Sequence, residues 1–346
     1  MLSRDRISRL AALSLFLSAV ELFIPRFLPF FRLGLSNIPI LMALDLNPLS
    51  FLTLCVIKGI GTSYTAGNLF SVFAIISLLQ SIRSGLVMYG TARVFKSGIS
   101  RYGVSLFGAL TSTLVQIALA ALYAGRGTLA FLPIMLILSF PAAILTAYLS
   151  EKIPEPDAKI PEMNGEKESR LAIILFILSS SAMMMTTEII LLLPSLAIAF
   201  ILQYLTGRKI KLLPHISMLL FMVLSSLLVP HGRVLFQIFS YPVTEGSLAD
   251  GISKGLRLSG GVALSQAFST MITPGTGIIG KSISIFTMPL SSFRNTTGSL
   301  WSRFLEALHS DNTQNNRKER VNIPIFTLIC LSVIIIVLAI TDCVFF

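Results

Sequence analysis

The chain has 346 residues, of which 54% are apolar and 12% charged, with a mean hydropathy of +0.82 and a net charge of +11. No soluble fold hides that much apolar surface, so a soluble enzyme domain is excluded for almost the whole chain. The basic excess does not indicate nucleic acid, because Lys and Arg lie between apolar runs rather than along one face.

About 20 apolar residues cross a bilayer core. Such runs recur in chain order at Leu10–Pro25, Ile38–Ile57, Leu69–Phe95, Val104–Leu122 and Leu129–Leu149. They continue at Leu171–Ile190, Leu191–Leu205, Leu212–Val229, Leu256–Ile272 and Ile323–Phe345. They predict an all-α, polytopic integral membrane protein of two helical bundles, with roughly nine to eleven transmembrane helices in total. Arg4, Arg6 and Arg9 precede the first run, which by the positive-inside rule puts the N-terminus in the cytoplasm and the chain in the inner membrane. No small-x-small cleavage site follows, so this run is expected to stay as an uncleaved first helix. Ala11, Ser14 and Ser18 form a small-residue stripe on it that admits another helix closely, from the same domain or from another subunit.

Ionisable and amide groups inside apolar runs are the candidate binding residues, because such groups usually face a bundle interior or a cavity. Asn37 opens the second run as a ligand contact or a helix cap. Lys58 is a ligand contact or a snorkelling interfacial lysine. The Gly59–Ser63 stretch after it is expected to break the helix and expose backbone N–H groups. Asn68, Gln80 and Gln116 are amides that either bind ligand or bridge helices. Glu21, Asp45 and Glu188 are further ionisable candidates, and Asp45, beside Asn47-Pro48, also reads as a loop marker. An even number of passes in the first half, most simply six, requires a break inside Leu69–Phe95, for which Gln80–Gly85 is the candidate.

Residues 151–170, rich in Pro and alternating charge, read as a solvent-exposed cytoplasmic linker. A second polar stretch at 310–322 isolates the last run, which reads as an appended anchor. Leu300–Leu308 just before it fits either a helix on the membrane surface or a connecting helix. Cys55, Cys330 and Cys343 share no ligand spacing, and His215, His231 and His309 are scattered, so neither a metal site nor a cofactor is expected. The chain has no H-E-x-x-H and no D-D-x-x-D cluster to hold magnesium against a prenyl diphosphate. The expectation extends to a missing G-x-x-x-x-G-K-[ST] nucleotide loop and a missing G-x-S-x-G elbow, and so to a protein that is not itself an enzyme.

The run Arg32-Leu33-Gly34-Leu35-Ser36-Asn37-Ile38, followed by Lys58-Gly59, resembles the Gx transporter family, also labelled heptaprenyl diphosphate synthase component I, over about residues 7–152. That family resembles the substrate-binding (S) components of energy-coupling-factor transporters, which implies a six-helix bundle with a small-molecule pocket. The second half resembles their transmembrane coupling (T) component through Thr244-Glu245-Gly246, Gly255-Leu256-Arg257 and Ser269–Pro274. It departs from that pattern in lacking an Ala-Arg-Gly triplet after Arg257 and the length for two coupling helices. The resemblance implies an S-like domain at 1–150, the linker at 151–170 and a T-like domain at 171–309. The second linker at 310–322 and a terminal helix at 323–346 follow, with Arg257 at a subunit or helix interface. It further implies a vitamin-like or isoprenoid-precursor-like solute, the bilayer and separate ABC-type ATPase subunits as partners. Two other readings stand beside import: a membrane accessory subunit of isoprenoid diphosphate synthesis, and a membrane scaffold without a solute pocket.

Overall fold

The structure is a computed structural model that describes residues 2–21, 33–66, 71–153, 155, 170–208, 210–238, 241–269 and 325–345. Asn68, Thr270–Pro274 and the Leu300–Leu308 helix lie outside them. The described residues form α1 (Leu2–Glu21), α2 (Ile38–Met42), α3 (Pro48–Ala66), α4 (Val72–Phe95), α5 (Arg101–Ala124) and α6 (Leu132–Lys152) in the first half. The second half contains α7 (Arg170–Met185), α8 (Ile189–Leu205), α9 (Leu212–Leu227), a β1–β2 hairpin (Val234–Ile238, Tyr241–Thr244), α10 (Glu245–Ser269) and α11 (Ile325–Phe345). The fold is thus all-α, apart from one short antiparallel hairpin that the apolar pattern did not announce.

The chain is a helical membrane protein. Val72–Phe95, Arg101–Ala124 and Arg126–Lys152 are long and apolar enough to cross a bilayer, and shorter apolar helices accompany them. Their outward faces carry large bare apolar side chains, such as Leu122 at 84% and Leu213 at 78% exposure, on a scale that water does not tolerate. The helix at the centre is α1, the least apolar of the first six. Leu10, Leu13, Leu15, Phe16 and Leu17 are all buried around its circumference. Ala11, Ser14 and Ser18 are buried too, and Ser14 donates to the Ser36 carbonyl at 2.9 Å, so this stripe is filled by the chain itself.

Contacts fix the path of the first half. Gly34 N–H donates to Glu21 at the end of α1, whereas Arg6 near its start meets Asp45. Residues 34–45 therefore return along α1 as a broken second pass, a 3₁₀ turn at Leu35–Asn37 followed by α2. The run Ile38–Ile57 is consequently two passes, separated by a turn at Ala43–Asn47. Asn47 closes that turn by accepting the Ser50 N–H at 2.8 Å, and Pro48 starts α3, where its missing N–H costs nothing. Six alternating segments result, three of them long and apolar enough to cross a bilayer, but the expected break inside Leu69–Phe95 is absent. Helix α4 is continuous, because Ser81, Ser84 and Gly85 are buried packing positions, Ser81 donating to the Cys55 carbonyl at 2.8 Å.

The Gly59–Ser63 expectation is corrected likewise. Helix α3 runs through it, and its glycines allow close approach: a Cβ on Gly59 would lie 2.8 Å from the Leu78 Cα of α4, and one on Gly61 would overlap Leu15 of α1. Backbone contact, not a ligand, explains both.

The two halves share a core. Ile117, Ala120, Ala124 and Met135 pack with Met218, Phe221, Met222, Leu258 and Val262. The backbone of Gly127, in the 3₁₀ turn before α6, lies directly against the Ser225 carbonyl of α9. Tyr123 of α5 reaches Met184 of α7. Helix α11 is not an appended anchor. Its Leu328, Ile335 and Ala339 enter the core of the second bundle with Phe176 and Phe268. Buried Asp342 accepts the backbone N–H groups of Thr187 (2.7 Å) and Glu188 (3.2 Å). A carboxylate thereby closes the N-terminal end of α8, where the helix dipole favours negative charge.

At the face that carries the start of α1, the Arg6 guanidinium bonds Asp45 at 2.6 and 3.2 Å and Glu155 at 2.6 and 3.2 Å. This clasp joins the first pass, the turn before α3 and the chain just beyond α6. Hydrogen bonding from Arg6 holds the Asp45 carboxyl below the usual carboxylate range. A folded-state value below the unfolded one means stabilisation that is complete above the ordinary carboxylate range and disappears as the pH falls through the lowered value. The protection factors of the Ala43–Asn47 amides, observed exchange divided into the intrinsic rate at each pH, are therefore expected to be flat from neutrality to about pH 5 and to fall only in stronger acid. Asp45→Asn should be weakly protected throughout, and a loss of wild-type protection already between pH 7 and 5 would contradict the clasp.

Candidate functional site

Helices α4, α5 and α6 and the 3₁₀ turn at Leu35–Asn37 enclose a cavity inside the first bundle, reaching on α5 and α6 to Ser105 and Thr146, one turn from the clasp-cleft residues Arg101 and Ser150. Its lining includes Gly34, Asn37, Gln80, Ser112, Gln116 and Ser139. On α5, Ser105, Ala109, Ser112, Thr113 and Gln116 recur at helical spacing and so share one face; on α6, Ser139 and Thr146 do the same. Small and hydroxylated residues on these faces leave space between helices while the outward faces stay apolar.

The polar groups are already partnered. The Gln80 amide donates to the Ser112 hydroxyl and to Gln116 Oε1 at 3.3 Å. Ser105 and Thr146 donate to the carbonyls of Ala143 and Ala142, both at 2.8 Å, and Ser139 donates to that of Leu136 at 2.6 Å. Their oxygens remain available as acceptors. The Lys58 ammonium, on α3, donates to Asn37 Oδ1, so the buried cation orients the amide that lines the cavity instead of lining it. Every side chain on the described lining is uncharged.

Size limits what this state holds. The cavity encloses about 30 Å³, room for roughly two waters and far below the about 300 Å³ of a small-molecule site. Occupation by anything larger requires α4, α5 and α6 to separate. Pro141 lies within α6 among the lining residues Ser139, Ala142 and Ala143, and it removes one helical hydrogen bond where such bending would be needed. A second cleft, about 400 Å³ and open, lies at the clasp and is lined by Arg6, Asp45, Arg101, Ser150 and Glu155. Arg6, Asp45 and Glu155 there already satisfy one another.

Of the residues singled out from the sequence, Asn37, Gln80 and Gln116 meet at one cavity and Lys58 stands behind Asn37. Asn68 is outside the described residues. Arg257 lies elsewhere, on α10, where it donates to Ser253 at 2.9 Å within electrostatic reach of Asp342. Glu188 precedes α8, and Asp45 belongs to the clasp. The hydroxyls of α5 and α6 were missed, although their helical spacing was visible in the letters.

Two motif expectations are corrected. Gly251-Ile252-Ser253-Lys254-Gly255 spells G-x-S-x-G. It lies inside α10, with Gly251 and Gly255 against α9 and Ser253 donating to the Thr187 carbonyl at 3.1 Å, so there is no strand-to-helix elbow. Gly275-Thr276-Gly277-Ile278-Ile279-Gly280-Lys281-Ser282 spells G-x-x-x-x-G-K-[ST] and lies outside the described residues. A nucleotide loop follows a strand, whereas the element described before this one is α10, ending at Ser269.

Residues 10–153 match a protein family described as heptaprenyl diphosphate synthase component I, and residues 169–269 match a domain of unknown function, DUF8519. Neither a curated protein nor a solved structure matches the chain.

Proposed function

We propose that this chain is a non-catalytic membrane component that admits a small polar molecule into the α4–α5–α6 cavity. The observation that carries the reading is a set of converging amides and hydroxyls in an otherwise apolar bundle, where polar groups are retained at a cost. The name of the family matched by residues 10–153 favours work beside isoprenoid diphosphate synthesis, as the membrane partner of a separate catalytic subunit that supplies the magnesium-binding carboxylates. With no cation on the described lining, a diphosphate would have to be met elsewhere, and the cavity suits an uncharged polar compound better.

A second reading is import energised by separate ABC-type ATPases. Its support is a polar-lined cavity enclosed within the first bundle. Arg6 and Arg93 meet the turn at the clasp face and Lys152 ends α6 beside Glu155, so the positive-inside rule favours that face as the cytoplasmic one.

Purification from the native membrane in mild detergent, with mass spectrometry of proteins and small molecules, separates these readings. A co-purifying D-D-x-x-D synthase supports the accessory role, and a stoichiometric ATPase pair supports import. In either case Gln80→Leu is expected to reduce retention of the small molecule at least tenfold at unchanged expression, since it removes both amide bonds at the cavity wall. Unchanged retention would remove the cavity from the function.

A further inference from the structure

Helix α4 presents an outward stripe of Ile75, Leu79, Arg83, Leu86 and Gly90, spaced by three or four residues. Ile75 and Leu86 are 61% and 51% exposed, Arg83 is exposed, and a Cβ on Gly90 would meet nothing within 4 Å. A lipid-facing stripe accounts for the apolar members. It does not account for an arginine in their midst.

Depth decides how serious that arginine is. Tyr89 and Arg93 both donate to the Leu46 carbonyl in the turn at the clasp face, at 3.0 and 3.2 Å, and so mark the level of that surface on α4. Arg83 lies six residues before Tyr89 and ten before Arg93, about 9 and 15 Å along the axis, and eleven after Val72, about 16 Å. Side chains on a helix lean toward its N-terminus. On α4 this points the guanidinium away from the nearer headgroups and further into the hydrocarbon. Snorkelling is thus opposed by geometry at one face and by distance at the other. Among the described residues, no carboxylate pairs with Arg83; Asp45, Glu155 and Asp250 are bound to Arg6 and Lys254.

We propose that the Ile75–Gly90 face of α4 is covered in the working protein by a transmembrane helix of another polypeptide, which places an Asp or Glu carboxylate against Arg83. Charge complementarity selects this occupant. A second copy of the chain would oppose Arg83 to Arg83, and an all-apolar helix would leave five N–H donors unmet. Gly90 lets the partner's backbone approach closely at the end of the stripe. The inference is independent of what fills the cavity.

The test places the photo-crosslinking residue p-benzoylphenylalanine at Leu79 or Leu86 of the full chain in native membranes. Both positions are expected to attach to one other polypeptide, the attached peptide lying in an apolar segment with an Asp or Glu within one turn of the adduct. Adding Arg83→Glu should cut adduct yield at least tenfold while leaving the thermal midpoint of the purified chain unchanged, since Arg83 is exposed on it. The proposal is overturned by adducts to lipid alone, to residues 270–324 of the same chain, or to a segment without a carboxylate. It is equally overturned by a yield insensitive to Arg83→Glu, or by destabilisation of the purified chain, which would place Arg83 in its own core.

Discussion

Gly127→Val is expected to lower the thermal midpoint of the full chain in detergent and loosen its two halves from each other, while Gly98→Val leaves both unchanged. The difference lies in what a side chain would meet. At Gly98 a Cβ has nothing within 4 Å. At Gly127 it would overlap the Ser225 carbonyl oxygen and lie 3.3 Å from the Ser225 hydroxyl. A carbonyl held in a helix cannot swing aside as a flexible side chain can, so the 3₁₀ turn must retreat from α9. Overpacking of this kind costs about 1–3 kcal/mol, and the retreat also opens the shared cluster of Ile117, Met135, Phe221 and Leu258. Dye-followed thermal unfolding measures the loss, and Gly127→Ala should fall between wild type and Val. Identical midpoints for all three would mean that the halves do not depend on this contact.

The second large effect is expected at Asp342. Asp342→Ala removes the acceptor of the Thr187 and Glu188 N–H groups and of the Thr187 hydroxyl. Thr187 is exposed and Glu188 half-buried, so each lost bond costs about 0.5–1.5 kcal/mol, and the charge at the start of α8 is lost as well. Helix α11 would keep only its apolar contacts through Leu328, Ile335 and Ala339. Hydrogen exchange at the first turn of α8 should rise sharply in Asp342→Ala and moderately in Asp342→Asn, which retains one acceptor oxygen. If Ala and Asn behave alike and close to wild type, water replaces the carboxylate and α11 is held by packing alone.

Much of this architecture was legible in the letters, and the errors have a common origin. Apolar runs announce helices because an apolar side chain has the same preference wherever it lies in the run. They do not announce where a run contains two passes. Ile38–Ile57 reads as one span because Ala43–Asn47 is short, although Asp45-Leu46-Asn47-Pro48 carries the chemistry of a turn. Gln80–Gly85 reads as a break for the opposite reason. Polar and small residues there serve helix contacts, Ser81 with Cys55 and Gly85 against Phe51 and Cys55. Gly59 and Gly61 repeat the lesson, since a glycine that loosens a helix in water lets helices touch in lipid.

At the cavity, Asn37, Gln80 and Gln116 were conspicuous as amides in apolar surroundings. The hydroxyls were not, because Ser and Thr satisfy themselves on their own helix and so occur throughout membrane spans. Nor does any local pattern say that α4, α5 and α6 turn these faces to the same space. That Lys58 orients Asn37 and does not line the cavity follows only from the return of residues 34–45 along α1.

The clasp at Arg6 also bears on how the chain is made. Its arginine and Glu155 are separated by 149 residues, so the pair cannot form until the sixth pass has left the ribosome. At about 5–20 residues per second that interval is roughly 7–30 s. Until then the partners open to the Arg6 guanidinium are Asp45 and the phospholipid headgroups. Closure by Glu155 then comes last and marks the completed first bundle just before the second begins to insert.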